Sequence, residues 1–344
     1  SLHSSQSYQF VGQPIIDIYP PNEHGGHNQN WTSIQDKNGF IYIGHTTGVS
    51  MWDGSSWSNI STPHATPVRE IARWKNDLYL GTTNDIAKIT LSTAGKLEYT
   101  SLLAQYFPNF AEFGEVWSTQ SNEHGVLFIS SQFTFFYDGK NLRIIKDAVS
   151  SKHFAFSINN QFMYKAKNNK QIYTITTQIK QGKLSLQHQT LPYEMPAQAR
   201  VTQILQDKNQ ALLIVTENHG VYRIEDKELV RVLSPNDFPR NAQLYKAIQS
   251  SDGYFYFATV YHGIFVLDDK LNLLRNYVES DISMNTVFSV QEDLQGNIWL
   301  TGIPNIVKMK PAHIISQFRV GNRSTEILRL KPTSFGILAA GNGV

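Results

Sequence analysis

Three histidines at similar positions of the sequence are the residues best suited to acid–base or metal chemistry. His45, His219 and His262 each follow a run of apolar residues and come shortly before a glycine. Histidine is the commonest metal ligand and titrates near neutral pH. Loop histidines are usually solvated, however, and the structural units that carry these three are not all neighbours. We therefore predict no metal site and no catalytic histidine.

The motifs of common enzymes and nucleotide-binding proteins are missing from the sequence. It contains no G-x-x-x-x-G-K-[ST], no G-x-G-x-x-G, no G-x-S-x-G and no H-E-x-x-H. The adjacent carboxylates Glu292 and Asp293 lie where a strand meets a turn and are interpreted as solvated turn residues. The absence of cysteine excludes disulfides, thiolate catalysis and cysteine metal sites. We predict no cofactor and no catalysis for this chain.

A larger set of aromatic, amide and charged residues is expected to gather on one face of the fold. Together with the three histidines, these candidate ligand-binding residues are Asn30, Trp31, Arg69, Glu115, Trp117, His153, Arg200, Glu217, Tyr245, Tyr261, Asn285 and Asn305. Aromatic rings stack on apolar sugar faces while polar groups fix hydroxyls, so the set favours a small-molecule or oligosaccharide ligand. The alternative is that half of these residues merely fill the centre of the fold.

The elements that must position these residues form a repeat. Short apolar runs begin at Ile41, Leu78, Leu127, Phe162, Leu212, Phe255 and Ile298, and an eighth begins at Ile337. Their mean spacing of about 42 residues is the period of β-propeller blades with four strands each. The runs are apolar at nearly every residue, which is typical of a strand packed on both faces. The aromatic residues within them, such as Trp299, are interpreted as packing between blades.

The repeat predicts an all-β fold: a seven-bladed β-propeller of four-stranded antiparallel blades, with the start of a further repeat at the C-terminus. Closure into a ring removes free sheet edges. The seven complete units run from Asn30 to about Phe318, within a propeller domain spanning residues 1–320. Residues 321–344 are predicted to be a truncated eighth repeat or the start of a second propeller. An eight-bladed ring completed by the N-terminal stretch is a less favoured alternative.

Composition restricts the partners of the chain. The 344 residues carry a net charge of +2 and only 17% charged residues, so no basic face predicts nucleic-acid binding. No apolar run reaches the roughly 18 residues that a membrane helix needs. Residue 1 is a serine, and the last residues, GILAAGNGV, stop within a strand-like pattern. We expect the chain to be a fragment of a longer protein.

The repeat resembles the two-component regulator propeller repeat. SIQDKNGFIYIGHTTGVSMWDGSSW (33–57) and SVQEDLQGNIWLTGIPNIVKM (289–309) match its pattern best, and AIQSSDGYFYFATVYHGIFVLD (247–268) is a good third match. In that pattern a glycine follows the apolar run. Ser130, Lys165, Val215 and Ala258 depart from it here, which weakens individual blades but not the architecture.

The resemblance implies the periplasmic sensor region of a bacterial signalling protein. In that family one or two propellers precede a small β-sandwich, a membrane helix and a cytoplasmic output such as a histidine kinase or diguanylate cyclase. Several members sense oligosaccharides. The resemblance thus implies ligand sensing, homodimerisation through the full-length sensor, and membrane attachment only through a downstream helix.

Two other functions remain open at this point. An enzyme on the same fold, a lyase or glycosidase, would need two carboxylates from different blades aimed at one point. A scaffold would use the propeller only for protein interaction or dimerisation.

Overall fold

The computed structural model describes residues 14–145, 154–180, 183–311, 326–333 and 336–342. Its architecture is all-β, with seven four-stranded antiparallel sheets. The inner strand of each sheet contacts the inner strands of the sheets on either side, and the first and last sheets contact each other. The seven sheets therefore form a closed ring, which confirms the predicted seven-bladed propeller.

Blades 1 to 3 follow one another along the chain, after a first strand, β1 (Ile15–Tyr19). Blade 1 comprises β2 (Asn30–Gln35), β3 (Ile41–His45), β4 (Gly48–Trp52) and β5 (Trp57–Ser61). Blade 2 comprises β6 (Ile71–Trp74), β7 (Asp77–Gly81), β8 (Ile86–Leu91) and β9 (Leu97–Ser101). Blade 3 comprises β10 (Val116–Asn122), β11 (Gly125–Ser130), β12 (Thr134–Tyr137) and β13 (Leu142–Ile144).

Blades 4 to 6 repeat the same meander. Blade 4 comprises β14 (Ala155–Ile158), β15 (Gln161–Lys165), β16 (Gln171–Lys180) and β17 (Lys183–Glu194). Blade 5 comprises β18 (Val201–Gln206), β19 (Leu212–Thr216), β20 (Val221–Glu225) and β21 (Glu228–Leu233). Blade 6 comprises β22 (Gln243–Gln249), β23 (Phe255–Val260), β24 (Ile264–Leu267) and β25 (Leu273–Tyr277).

Blade 7 differs because its outer strand comes from the N-terminal part of the chain. Its first three strands are β26 (Thr286–Glu292), β27 (Ile298–Ile303) and β28 (Ile306–Lys310), and its fourth is β1. The register pairs Tyr19 with Ile306 and Ile15 with Lys310. Counting units from Asn30 to about Phe318 was therefore wrong for the last strand. Counting repeats in chain order cannot detect a strand that comes from the other end of the chain. β1 forms main-chain hydrogen bonds with β28, which would otherwise be the open edge of the blade 7 sheet.

The apolar runs are the second strands of the blades, as predicted. β3 and β11 are buried at every residue, because each second strand packs against a neighbouring blade on either face.

A glycine then opens the third strand in several blades. Gly263 has a φ of 66°, and a Cβ there would overlap the carbonyl oxygen of Tyr277. Only glycine fits this close approach.

Helix is confined to short connections. Within the described ranges the α-helices are α1 (Pro21–His24), α2 (Leu102–Tyr106) and α3 (Glu279–Ile282), with 3₁₀ turns at Pro63–Ala65 and Pro235–Asp237. None of these helices is long and apolar enough to cross a membrane.

Two further strands follow the ring. β29 (Glu326–Thr333) and β30 (Gly336–Asn342) pair only with each other, as an antiparallel hairpin. The register shifts by one residue between Ile327 and Arg329. Blade 6 has the same shift between Leu244 and Lys246 of its first strand. The hairpin thus reproduces the first two strands of a blade.

Trp299 lies where the closing strand, blade 7 and blade 1 meet. It is 1% exposed and packs in a cluster with Ile41, Ile43 and Ile306. Its ring stacks on that of Tyr19 with the centroids 5.9 Å apart. Its indole nitrogen donates a hydrogen bond of 2.9 Å to Asp293 Oδ2. One side chain therefore contacts both ends of the ring.

Replacing Trp299 by alanine should lower the free energy of unfolding by about 3–5 kcal/mol, because a large buried ring would leave a cavity at the closure. Chemical denaturation would measure the change. Trp299→Phe is the control: it keeps most of the packing and should lose only about 1–3 kcal/mol with the hydrogen bond to Asp293. Equal stability of the alanine variant and the parent protein would contradict this account of the closure.

Candidate functional site

The first strands of five blades carry a β-bulge at the same point. The register shifts around one residue in β2, β10, β18, β22 and β26. The residues inside these shifts are Trp31, Trp117, Thr202, Tyr245 and Phe288. A bulge re-aims the side chain of the extra residue. All five line one small space on the axis of the ring.

We name the side chains around this space the axial cluster. It consists of Trp31, Arg69, Glu70, Trp117, Phe154, Tyr245, Lys246 and Phe288. The rings of Trp31 and Phe288 stack at 4.4 Å, and Tyr245 contacts Phe288 at 5.2 Å and Phe154 at 6.2 Å. The chain thus places aromatic groups from blades 1, 4, 6 and 7 against one another.

Charges within the axial cluster are paired. The Arg69 guanidinium lies over the rings of Trp31, at 3.8 Å, and Trp117, at 4.9 Å. It also forms a 3.0 Å ion pair with Glu115. Cation–π contacts of this kind are stronger when the cation is partly removed from water.

A second ion pair spans the axis. Lys246 Nζ of blade 6 lies 3.2 Å from Glu70 Oε1, which precedes blade 2. The other carboxylate oxygen of Glu70 accepts hydrogen bonds from the Ser118 hydroxyl and the Thr119 amide of blade 3. Glu70 therefore links three blades through one carboxylate.

The space left within the axial cluster is only about 20 Å³, close to the room for one water molecule. Trp31, Arg69, Trp117 and Tyr245 were predicted as ligand-binding residues, and the structure brings them together. At this level of the channel, however, they fill it. Burial raises the pKa of the Tyr245 phenol, as expected for a packed hydroxyl.

Larger spaces lie beside the axis, among the loops that enter the first strands and the loops after the second strands. One, which we name the side pocket, lies between blades 4 and 5 and has a volume of about 360 Å³. Its lining residues are Trp117, Phe154, Lys165, Ala166, Lys167, Asn168, Ala197, Gln198, Ala199, Arg200, Val201 and Glu217. Such a volume is within the range of small-molecule sites.

Arg200 and Glu217 form the charged wall of the side pocket. Arg200 Nη1 lies 3.1 Å from Glu217 Oε1, and the guanidinium lies 5.3 Å from the centroid of the Phe154 ring. Glu217 also borders a second pocket of about 340 Å³ between blades 5 and 6, which Phe238 and Leu244 line on the other side. The predicted residues Trp117, Arg200 and Glu217 therefore converge at an open space.

Other predicted residues lie elsewhere. Asn30 and Asn305 are buried and donate hydrogen bonds to backbone carbonyl groups, Asn30 to that of Gly302 and Asn305 to that of Ser283. Tyr261 is 63% exposed in a loop of blade 6 and lines none of the pockets described here.

The remaining candidates show no shared site within the described residues. Asn285 is exposed and accepts a hydrogen bond from the neighbouring Thr286 hydroxyl. The main-chain amides of His219 and His262 bond to threonine hydroxyls of their own blades. His153 lies outside the described residues.

His45 is buried beside a second histidine that the sequence did not single out. Burial, and to a smaller extent the nearby His24 of α1, lowers the pKa of His45, and Gly26 fits between the two rings. The Gly26 amide donates a hydrogen bond to His24 Nδ1, and the Thr47 amide donates one to His45 Nδ1. Both Nε2 atoms are buried and lack a hydrogen-bond partner among the described residues.

Over the same residues, no group of three or more His, Cys, Asp or Glu side chains could hold a metal ion.

Sequence reasoning missed several residues of the site, namely Phe154, Phe288, Glu70, Lys246 and Lys165. A usable signal existed for Phe288. It occupies the same place before the strand-and-turn pattern of blade 7 as Trp31 does in blade 1. Aligning the repeats on this residue, rather than on the apolar runs, would have found it.

Comparisons with known proteins support the fold. No protein-family profile matches the sequence, and no curated protein does. Among solved structures, the extracellular domain of BT4673 from B. thetaiotaomicron, from a one component system, has a TM-score of 0.67 at 17% identity. The alignment covers 95% of this chain and 44% of that one.

Two further structures have similar scores. The extracellular domain of the hybrid two component system BT3049 from B. thetaiotaomicron has a TM-score of 0.64 at 14% identity, covering 86% of this chain and 42% of that one. Virginiamycin B lyase from Staphylococcus aureus has a TM-score of 0.64 at 14% identity. The alignment covers 87% of this chain and 99% of the lyase. The chain thus spans less than half of the two extracellular domains and nearly all of the lyase. At these identities the likeness establishes the propeller fold.

The buried histidine pair predicts acid sensitivity. Burial lowers the pKa of His24 and of His45 to about 4, from a usual value of 6.5. The folded state therefore favours the neutral rings. Their contribution to the free energy of unfolding is complete above pH 6.5 and is lost as the pH falls towards 4. We expect a loss on the order of 3 kcal/mol for each histidine over this range. Denaturant unfolding at several pH values would measure it.

Removing one ring should flatten the pH dependence. His45→Asn is expected to reduce the loss of stability between pH 6.5 and 4, whereas the exposed His64→Asn serves as the matched control and should leave it unchanged. The same slope in all three proteins would show that the pair does not act in this way.

Proposed function

We propose that this chain is the ligand-binding input region of a bacterial sensor, located in the periplasm, and that its ligand occupies the side pocket. The observation that carries the proposal is the convergence of side chains from three blades on one open space. Trp117 comes from blade 3, Phe154 from the start of blade 4, and Arg200 and Glu217 from blade 5. Sites on closed β folds are usually assembled in this way from several loops.

The fold supports a sensor role. It is shared with extracellular domains of one-component and two-component systems, of which this chain spans less than half. The resemblance of the repeats to the two-component regulator propeller pattern points in the same direction. The axial cluster also links blades 2, 3 and 6 through the ion pair of Lys246 with Glu70, so a change at one blade is in contact with the others.

An oligosaccharide is the ligand class that the pocket fits best. Trp117 and Phe154 offer aromatic surface, while Arg200, Glu217 and Asn168 offer polar groups for hydroxyls. A pocket of about 360 Å³ has room for one or two sugar rings at a time. Longer chains would extend towards the neighbouring pocket that shares Glu217.

A non-catalytic role is part of the proposal. Glu70, Glu115 and Glu217 each form an ion pair with a lysine or arginine. A general acid or base must direct its carboxyl group at the substrate, and these three carboxylates are directed at neighbouring cations instead. The paired carboxylates are better suited to fixing the geometry of the site than to moving protons.

The second candidate is a lyase. It rests on the likeness to virginiamycin B lyase, of which 99% is covered. Incubating the protein with virginiamycin B and following loss of the antibiotic by liquid chromatography tests it. Turnover by the parent protein that Glu217→Gln abolishes would favour the lyase over the sensor.

For the sensor, we expect an oligosaccharide from a screened panel to bind in calorimetry and Trp117→Ala and Arg200→Ala each to weaken binding about tenfold or more. These substitutions remove an aromatic wall and a charged wall of the side pocket. Tyr261→Ala is the matched control, because Tyr261 lies on an exposed loop away from the pocket.

Melting curves should show that the variants fold. A ligand whose affinity is unaffected by Trp117→Ala and Arg200→Ala but reduced by Tyr261→Ala would place the site elsewhere. A panel in which no sugar binds would contradict the proposed ligand class.

A further inference from the structure

One blade carries a charge where the other blades do not. The fourth residue of each apolar run is buried in all seven blades: Gly44, Gly81, Ser130, Lys165, Val215, Ala258 and Thr301. Six of these are small or uncharged, and the position packs between blades. Packing alone therefore gives no reason for a lysine at this place in blade 4.

The burial of Lys165 is costly. The residue is only 8% exposed, and its Nζ donates one hydrogen bond, of 2.9 Å, to the carbonyl oxygen of Ala197. An ammonium group has three donors. Among the described residues no carboxylate forms an ion pair with it, and burial lowers its pKa. Lysine is almost never buried without a partner, because removing its charge from water costs free energy.

Lys165 lies in the wall of the side pocket together with two other cations. Arg200 and Lys167 line the same space, and Glu217 is the only carboxylate among its described lining residues. Three positive groups thus face one negative group, which Arg200 already pairs. The Nε of Arg200 is buried and has no hydrogen-bond partner among the described residues. Lys165 therefore has N–H donors to spare, and the pocket has an excess of positive charge.

We infer that the side pocket binds an acidic sugar, with the negatively charged substituent of the sugar accepting hydrogen bonds from Lys165 Nζ and the exposed part of the Arg200 guanidinium. A carboxylate of a uronic acid and a sulfate ester both provide this chemistry. Charge-assisted hydrogen bonds to an anion would supply the negative charge that Lys165 lacks among the described residues. Trp117 and Phe154 remain as apolar walls for the ring. The inference rests on the proposed function, since it names the class of saccharide that this pocket takes.

The experiment compares acidic sugars with uncharged ones of the same size. Calorimetry would use digalacturonate against its methyl ester, and a sulfated disaccharide against its unsulfated parent, in buffer of low ionic strength. We expect at least one acidic probe to bind about tenfold or more tightly than its neutral counterpart. The preferred pair distinguishes a carboxylate from a sulfate. Raising the salt concentration should weaken only the acidic probe.

Lys165→Met keeps the length of the side chain and removes its charge. This substitution should weaken binding of the acidic probe by about tenfold or more and leave binding of the neutral probe unchanged. Lys96→Met is the matched control, because Lys96 is exposed in a hairpin of blade 2, and it should bind both probes as the parent protein does. Arg200→Gln provides a second test in case Lys165→Met does not fold, with the same selective loss expected.

The outcomes separate this inference from the proposed function. Equal affinities for neutral and acidic sugars would overturn the inference but not the proposed function. The same holds if Lys165→Met and Arg200→Gln bind the acidic probe with the affinity of the parent protein. Binding of no sugar, acidic or neutral, would overturn both.

Discussion

Main-chain pairing between β1 and β28 is the interaction on which the rest of the structure depends. Each blade covers the faces of its neighbours, so an open ring would expose a buried strand of blade 1 and one of blade 7. The pairing of Ile15–Tyr19 with Ile306–Lys310 closes the last sheet, and Trp299 packs against Tyr19 across the junction. Other contacts reinforce the junction of blades 1 and 7, since Trp31 stacks on Phe288 and Asn30 donates a hydrogen bond to the carbonyl oxygen of Gly302. The geometry of the loops above the blades follows from this closure.

The bulges determine where a ligand has room. Because five first strands direct a residue to the axis at the same height, the channel is filled by rings and by the pair of Lys246 with Glu70. Beside the axial cluster, open space lies in the gaps between blades 4, 5 and 6. Blade 4 has no bulge in its first strand, and Phe154 reaches the axis from the residue before it. The axis therefore serves as a scaffold that holds Trp117 and Arg200 beside the pocket.

Much of the fold was predictable from the sequence, and part of the site was. The apolar runs follow the strand period and the blade period, so the blade number and the second strands were evident. The source of the closing strand was not, since pairing between distant segments leaves no local pattern. The gathering of Trp31, Arg69, Trp117 and Tyr245 was foreseen, but periodicity cannot show which residue a bulge turns inward. Lys165 was noted only as a departure from a glycine, because its burial depends on neighbours that the sequence does not identify.

The exchanged strand also affects how the protein is made. During synthesis, Ile15–Tyr19 emerges before any blade exists, yet its partner β28 is among the last strands of the ring to appear. The early segment has no strand partner until β28 has been made, and unpaired strands are prone to associate with other chains. Asp17 at the centre of this short strand places a charge on it. Contacts so distant in sequence slow folding. A nascent chain would therefore acquire its final shape only after blade 7 has left the ribosome.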